Sequence, residues 1–134
     1  MKIVVDSNII FSASLSSNSK FRYIFSDKDN LFYVPTLLYK EIFNKIDKIL
    51  RYSKANKSIT IEYVYHLLSL INYIPPEIIN KETYQLAYDL CKDYDENDTP
   101  FVALTIHLGA KLWTGDKIKK HIQNLGFDIF FEEI

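Results

Sequence analysis

Residues 95–119 read "DENDTPFVALTIHLGAKLWTGDKIK". Thr99 is a candidate helix N-cap, Pro100 suits the first helical position, and Gly109 is the expected stop. "AKLWT" (110–114) then reads as a strand, and "DKIKKHIQNLG" (116–126) as a helix ending at Gly126. Working outward, "KIVVD" (2–6) is a continuous apolar run, as expected for a strand covered on both faces. "NIIFSASLS" (8–16) starts a helix, "SNSK" (17–20) is a polar break, and "FRYIFS" (21–26) is a short helix. "LFYV" (31–34) is a strand ended by Pro35. "TLLYKEIFNKIDKILRYS" (36–53) carries Leu38, Ile42, Ile46 and Ile49 at helical spacing. "TIEYVYHLLSLI" (60–71) fits the second helix of a hairpin, and "NYIP" (72–75) a short strand. "KETYQLAYDLCKDY" (81–94) is helical, with Leu86 and Leu90 four apart, and "FDIFF" (127–131) is a terminal strand. Strand–helix alternation of this kind predicts one α/β domain over 1–134 with a mainly parallel sheet.

Composition narrows the function. The chain of 134 residues is 48% hydrophobic and 25% charged, an ordinary globular balance. Cys91 is the sole cysteine, which excludes an internal disulfide and a cysteine-based zinc site. A reducing, cytoplasmic setting is the simpler expectation. Asp6 interrupts the first apolar run too early for a secretory signal, and no run approaches membrane-spanning length. The net charge of −1 does not announce a nucleic-acid binder, so such a role needs local basic patches.

The carboxylates fall at informative places. Asp6 ends the first strand, and Asp116 follows "KLWT" after Gly115. Asp98 immediately precedes a helix, and Glu41 lies early in the helix after "LFYV". Open parallel sheets build sites beyond the carboxyl ends of their strands, so all four acids can reach one end of the sheet. Taken singly, each has an ordinary reading: Asp6 and Asp116 as helix caps, Asp98 as a charge favouring the helix dipole, Glu41 as a solvated helical residue. Taken together they repel. A pair about 4 Å apart costs roughly 4 kcal/mol at an effective dielectric near 20. Such a group must take up protons or bind cations, and carboxylates without His or Cys suit Mg²⁺ or Mn²⁺. Two such ions about 3.5–4 Å apart can activate water and stabilise a leaving oxygen in phosphodiester hydrolysis.

With these residues in place, the sequence resembles the PIN-domain ribonuclease family, which includes the toxins of VapBC-type toxin–antitoxin pairs. The resemblance rests on "VVDSNIIFSA" (4–13), "LLYKEIFNKI" (37–46) and "DENDTPFVALTIHLGAKLWTGDKIK" (95–119). It implies a three-layer α/β/α sandwich, a divalent-metal site and single-stranded RNA as substrate. The family's acidic motif falls on Asp6, Glu41, Asp98 and Asp116. Thr114 matches a supporting hydroxyl, Asn8 resembles a supporting polar position, and Asp95 matches an acid present in only some relatives. An antitoxin protein and a second copy of the chain are partners the resemblance implies. Thr105 departs from the family's frequent alanine, at a helix-packing position. Residues 52–80 match no distinctive motif.

The resulting expectation is metal-dependent endoribonuclease chemistry. Asp6, Asp98 and Asp116 are the main ligands, and Glu41 binds a second ion or orients water. Thr114 and Asn8 hold carboxylates by hydrogen bonds. Cations at 40–57 and in "DKIKKH" (116–121) could meet phosphates, with Lys45, Lys48, Lys117 and Lys120 as candidates, although a solvated helix face is the plainer reading. A dehalogenase-type phosphatase would need a second Asp where Asn8 stands, and no Gly-rich loop supports a nucleotide fold. The non-enzymatic alternative is a degenerate module that binds RNA or protein without catalysis. A toxin and a standalone RNA-processing nuclease read identically in this chain.

Overall fold

The computed structural model describes residues 1–15 and 19–133, without the side chains of Ser19 and Asp116. Strand β1 (Lys2–Val5) has Ile3, Val4 and Val5 fully buried, as its unbroken apolar run requires of a strand covered on both faces. Beside it lie β2 (Leu31–Pro35), β3 (Ile71–Ile74) and β4 (Lys111–Trp113). Every pairing is parallel and the order is β3-β2-β1-β4. Val4 sits opposite Tyr33 on one side and Leu112 on the other.

Helices α1 (Ser7–Leu15) and α2 (Ser19–Ser26) link β1 to β2, and α3 (Leu38–Tyr52) and α4 (Lys57–Ser69) link β2 to β3. Both crossovers step in the same direction, so their right-handedness puts these helices on one face. The next connection, through α5 (Lys81–Cys91) and α6 (Thr99–Leu108), returns across the whole sheet to β4 and covers the opposite face. Contacts agree: α1 packs on α3 and α4, whereas α6 packs on α5, β1, β2 and β4. Helix α7 (Asp116–Asn124) joins the second layer through α5. The expected three-layer α/β/α sandwich is therefore present. Among the described residues, no helix is long and apolar enough to cross a membrane.

Local chemistry sets the helix ends. The side chains of Asn56 and Asn80 accept from Ile59 N and Thr83 N, starting α4 and α5. Gly109, at φ 61°, closes α6 in the left-handed region, with Ala110 N donating to Thr105 O. Thr105 is buried in α6 and satisfies its hydroxyl on Phe101 O at 2.8 Å, which explains how this position tolerates a polar group.

Four expectations shift. Thr99 is the first residue of α6 rather than its cap, because a 3-10 turn at Glu96–Asp98 runs straight into the helix. Capping moves upstream to extended Asp95, whose carboxylate accepts from Asn97 N at 3.0 Å. The stretch 127–131 forms one parallel bridge, Phe130 to Leu112, because three-residue β4 offers almost no edge to extend. In α5 the buried stripe is Ala87, Leu90 and Cys91, while Leu86 remains 38% exposed. Residues 17–18 of the "SNSK" break lie outside the described residues, and Ser19 and Lys20 belong to α2.

Candidate active site at the carboxyl ends of β1 and β4

Strand β1 hands its chain to one helical layer, and β4 hands its chain to the other. The crevice between their carboxyl ends is thus the topological switch point, where open parallel sheets place ligands. Asp6 occupies it. Its backbone N donates to Trp113 O at 3.0 Å, prolonging the β1–β4 ladder by one residue. Its carbonyl accepts from Ile9 N at 3.0 Å, turning the chain into α1. The side chain is 7% exposed and anchored at both oxygens. Thr114 donates its hydroxyl to Oδ2 at 2.6 Å, while Ser7 Oγ and Asn8 N reach Oδ1 at 3.3 and 3.4 Å. A carboxylate so held has little rotational freedom left to lose when it binds a ligand.

Asp98 approaches from the second layer, at the start of α6. Helices of a parallel sandwich run against the strands, so their amino ends lie at the same end of the sheet as Asp6. Burial, reinforced by the charges of Asp6, Asp95 and Glu41, raises the Asp98 carboxyl to about 7. Glu41 reaches this group from the first turn of α3, where it is half-buried. Behind Asp98, burial and the Asp98 charge push the Cys91 thiol up to about 11, so Cys91 packs there as a neutral group.

The structure thus brings Asp6, Asp95 and Glu41 within electrostatic reach of Asp98. Asp116 begins α7 at the carboxyl end of β4, and its side chain lies outside the described residues. Among the described residues, no three His, Cys, Asp or Glu side chains stand close enough together to hold an ion. The donor set nonetheless suits a hard divalent cation: carboxylates and a hydroxyl, without nitrogen or sulfur ligands. Within 4 Å, the ion pairs among the described residues are Lys20–Glu133, Lys92–Asp89 and Lys119–Glu132, so none neutralises Asp6, Glu41 or Asp98. With its carboxyl raised to about 7, Asp98 can relieve this repulsion by holding a proton below that pH.

Two supporting residues differ from expectation. Asn8 gives Asp6 its backbone N–H, and its side chain is exposed. Ser7, which sequence reading passed over, is buried against Asp6; its only signal was its place beside the acid in "DSN". Of the candidate phosphate contacts, Lys117 and Lys120 are exposed on α7, whereas Lys45 and Lys48 both lie over the Phe11 ring.

Because Thr114 alone bonds to Asp6 Oδ2 among the described residues, Thr114→Val removes that bond. We expect about a 10–100-fold loss of nuclease rate, the range for residues that orient metal ligands, with little change in melting temperature. Thr114→Ser, which keeps the hydroxyl, should retain most activity in the same assay.

No curated protein matches the sequence. A family model of the PIN domain, a family generally composed of nucleases, matches residues 4–121, and the chain belongs to the PIN-domain family.

Proposed function

We propose that the protein is a divalent-metal-dependent endoribonuclease that hydrolyses phosphodiester bonds of single-stranded RNA. The observation that carries this reading is the crowding of Asp98 by Asp6, Asp95 and Glu41, with no cation paired to Asp6, Glu41 or Asp98 among the described residues. Asp6, Asp98 and Asp116 would hold Mg²⁺ or Mn²⁺, with Glu41 as a further ligand. A bound divalent ion supplies positive charge against the phosphate and makes water more acidic. The chain's own residues supply the rest. Thr114 and Ser7 fix the Asp6 carboxylate, removing one reorganisation from the reaction. Where it does not bind a second ion, Glu41 would accept a hydrogen bond from the attacking water and orient it toward phosphorus. Asp95 sits outside this set and adds negative potential.

The test is cleavage of a single-stranded RNA by the purified chain with Mg²⁺ or Mn²⁺. Chelator should reduce cleavage to background, and re-added metal should restore it. Chelator-insensitive binding without cleavage would favour the non-catalytic module. Growth arrest on expression, relieved by Asp6→Asn, would add a toxin's role, and co-purification with a small antitoxin would supply its partner.

A further inference from the structure

The faces of α1 and α3 that meet beyond the acids carry a second arrangement, of opposite charge. On α3, Glu41, Lys45 and Lys48 fall at i, i+4 and i+7 and so share one face. Their rise places Lys45 about 6 Å and Lys48 about 10.5 Å along the axis from Glu41. On α1, Phe11 lies between half-buried and core positions and packs against the core. Its ring gathers both ammonium groups: Lys45 Nζ and Lys48 Nζ each lie 5.7 Å from the ring centroid. That is within the range of a cation–π attraction.

A solvated helix face would place these lysines differently. Lys45 stands four residues after Glu41, the spacing for a helical ion pair, yet no carboxylate lies within 4 Å of Lys45 or Lys48 among the described residues. Two like charges converging on one ring without an acid partner leave a concentrated positive site. It shares the α3 face of Glu41, one to two helical turns further along. A polymer with regularly spaced anions can therefore place one phosphate at the acids and neighbouring phosphates at the lysines.

We propose that Lys45 and Lys48, gathered over the Phe11 ring, form a paired-ammonium clamp that grips the RNA backbone beside the cleavage site. Phe11 is the positioning residue, since its ring holds both ammonium groups together. This rests on the nuclease reading and deepens it by naming where the strand runs.

The experiment uses fluorescein-labelled oligouridylate, with binding followed by anisotropy in chelator over a series of salt concentrations. Cleavage is measured in parallel with Mg²⁺ or Mn²⁺. Lys45→Gln/Lys48→Gln should weaken binding about tenfold and flatten the salt slope by roughly 1.4, the value for two single-strand phosphate contacts. Lys2→Gln/Lys111→Gln is the control, with the same charge change at the opposite, amino end of β1 and β4. It should bind within about twofold of the unaltered chain and keep its slope. Phe11→Leu should weaken binding about threefold with both charges retained, and Phe11→Tyr should restore it. Melting temperatures verify that each variant is folded.

Equal losses in the lysine pair and the control overturn the clamp, as does unchanged binding by the lysine pair. Equal dependence of polyglutamate binding on the two lysines also overturns it, in favour of an acidic peptide. Cleavage by the unaltered chain with a lysine pair that binds normally removes the clamp alone. Lysine-dependent binding without metal-dependent cleavage removes the nuclease reading and keeps the clamp.

Discussion

Asp98→Asn should lower RNA cleavage by at least about a thousandfold, a loss of roughly 4 kcal/mol of transition-state stabilisation, while making the metal-free chain more stable. Both effects have one origin. Burial, reinforced by the charges of Asp6, Asp95 and Glu41, raises the half-buried Asp98 carboxyl from the ordinary 3.8 to about 7. In the unfolded chain this group loses its proton near its ordinary value, while the folded chain keeps it until about pH 7. The folded state therefore has its full relative stability from this group at low pH and loses it as pH rises through about 7. Asparagine is neutral throughout. In chelator, the stability gain of the variant should be near zero around pH 4, grow toward pH 7 and level off above. Because solvent screens a half-exposed group, we expect a plateau of about 1–2 kcal/mol. Thermal melts across pH 4–9 in chelator measure it, with cleavage assayed on the same samples. A variant that loses activity and stability together would show that Asp98 is structural. Added Mg²⁺ should stabilise the unaltered chain more than the variant, reversing their order.

Trp113→Ala should produce the largest loss of stability, about 3–5 kcal/mol. Trp113 is fully buried on β4 and is the largest side chain in the core. Its ring meets Phe21 edge-on at 5.2 Å, Phe25 at 5.1 Å and Phe131 at 5.5 Å. Its Nε1 donates to Glu133 Oε1 at 2.7 Å. The residue thus ties α2, β4 and the segment after α7 into one cluster, and alanine leaves a cavity between three elements that cannot all close in. Trp113→Phe separates packing from the polar contact. It keeps a ring and loses the Glu133 bond, but Glu133 retains Lys20 at 3.0 Å. That change should cost about 1–2 kcal/mol. Urea unfolding of both variants measures the difference. Equal costs would show that the hydrogen bond, not the ring cluster, is the stabilising contact. Thr114 follows Trp113 directly, so the alanine variant should also lose activity at temperatures where it remains folded.

Several features were legible in sequence because they depend on neighbours along the chain. The unbroken "IVV" of β1, the α3 periodicity and the Gly109 stop each follow from local geometry, and each is present. Placing the acids at the strand ends required only strand–helix alternation and the general behaviour of parallel sheets. What was not legible depends on contacts distant in sequence or on small energy differences. A turn that tightens to a 3-10 geometry before α6 differs little in residue preference from a capped helix start, so Asp95 rather than Thr99 carries the cap. The pattern of "FDIFF" favours a strand, but whether it pairs depends on the length of its neighbour, and β4 is too short. Ser7 looked like an ordinary residue between two polar ones until burial put its hydroxyl against Asp6. The gathering of Lys45 and Lys48 over Phe11 depends on how α1 packs against α3, which no window of sequence reports.

The hydrogen bond from Thr114 to Asp6 spans 108 residues of chain and joins the carboxyl ends of neighbouring strands. Closing so long a loop is slow, because the entropy lost on bringing its ends together precedes any gain from the contact. During synthesis, β1 waits with its β4-facing edge unpaired until the intervening residues have been made and β4 has left the ribosome. Asp6 therefore lacks its orienting hydroxyl until that pairing forms. A site assembled this way is complete only once β4 has paired with β1, so no shorter nascent segment can hold Asp6 in its working orientation.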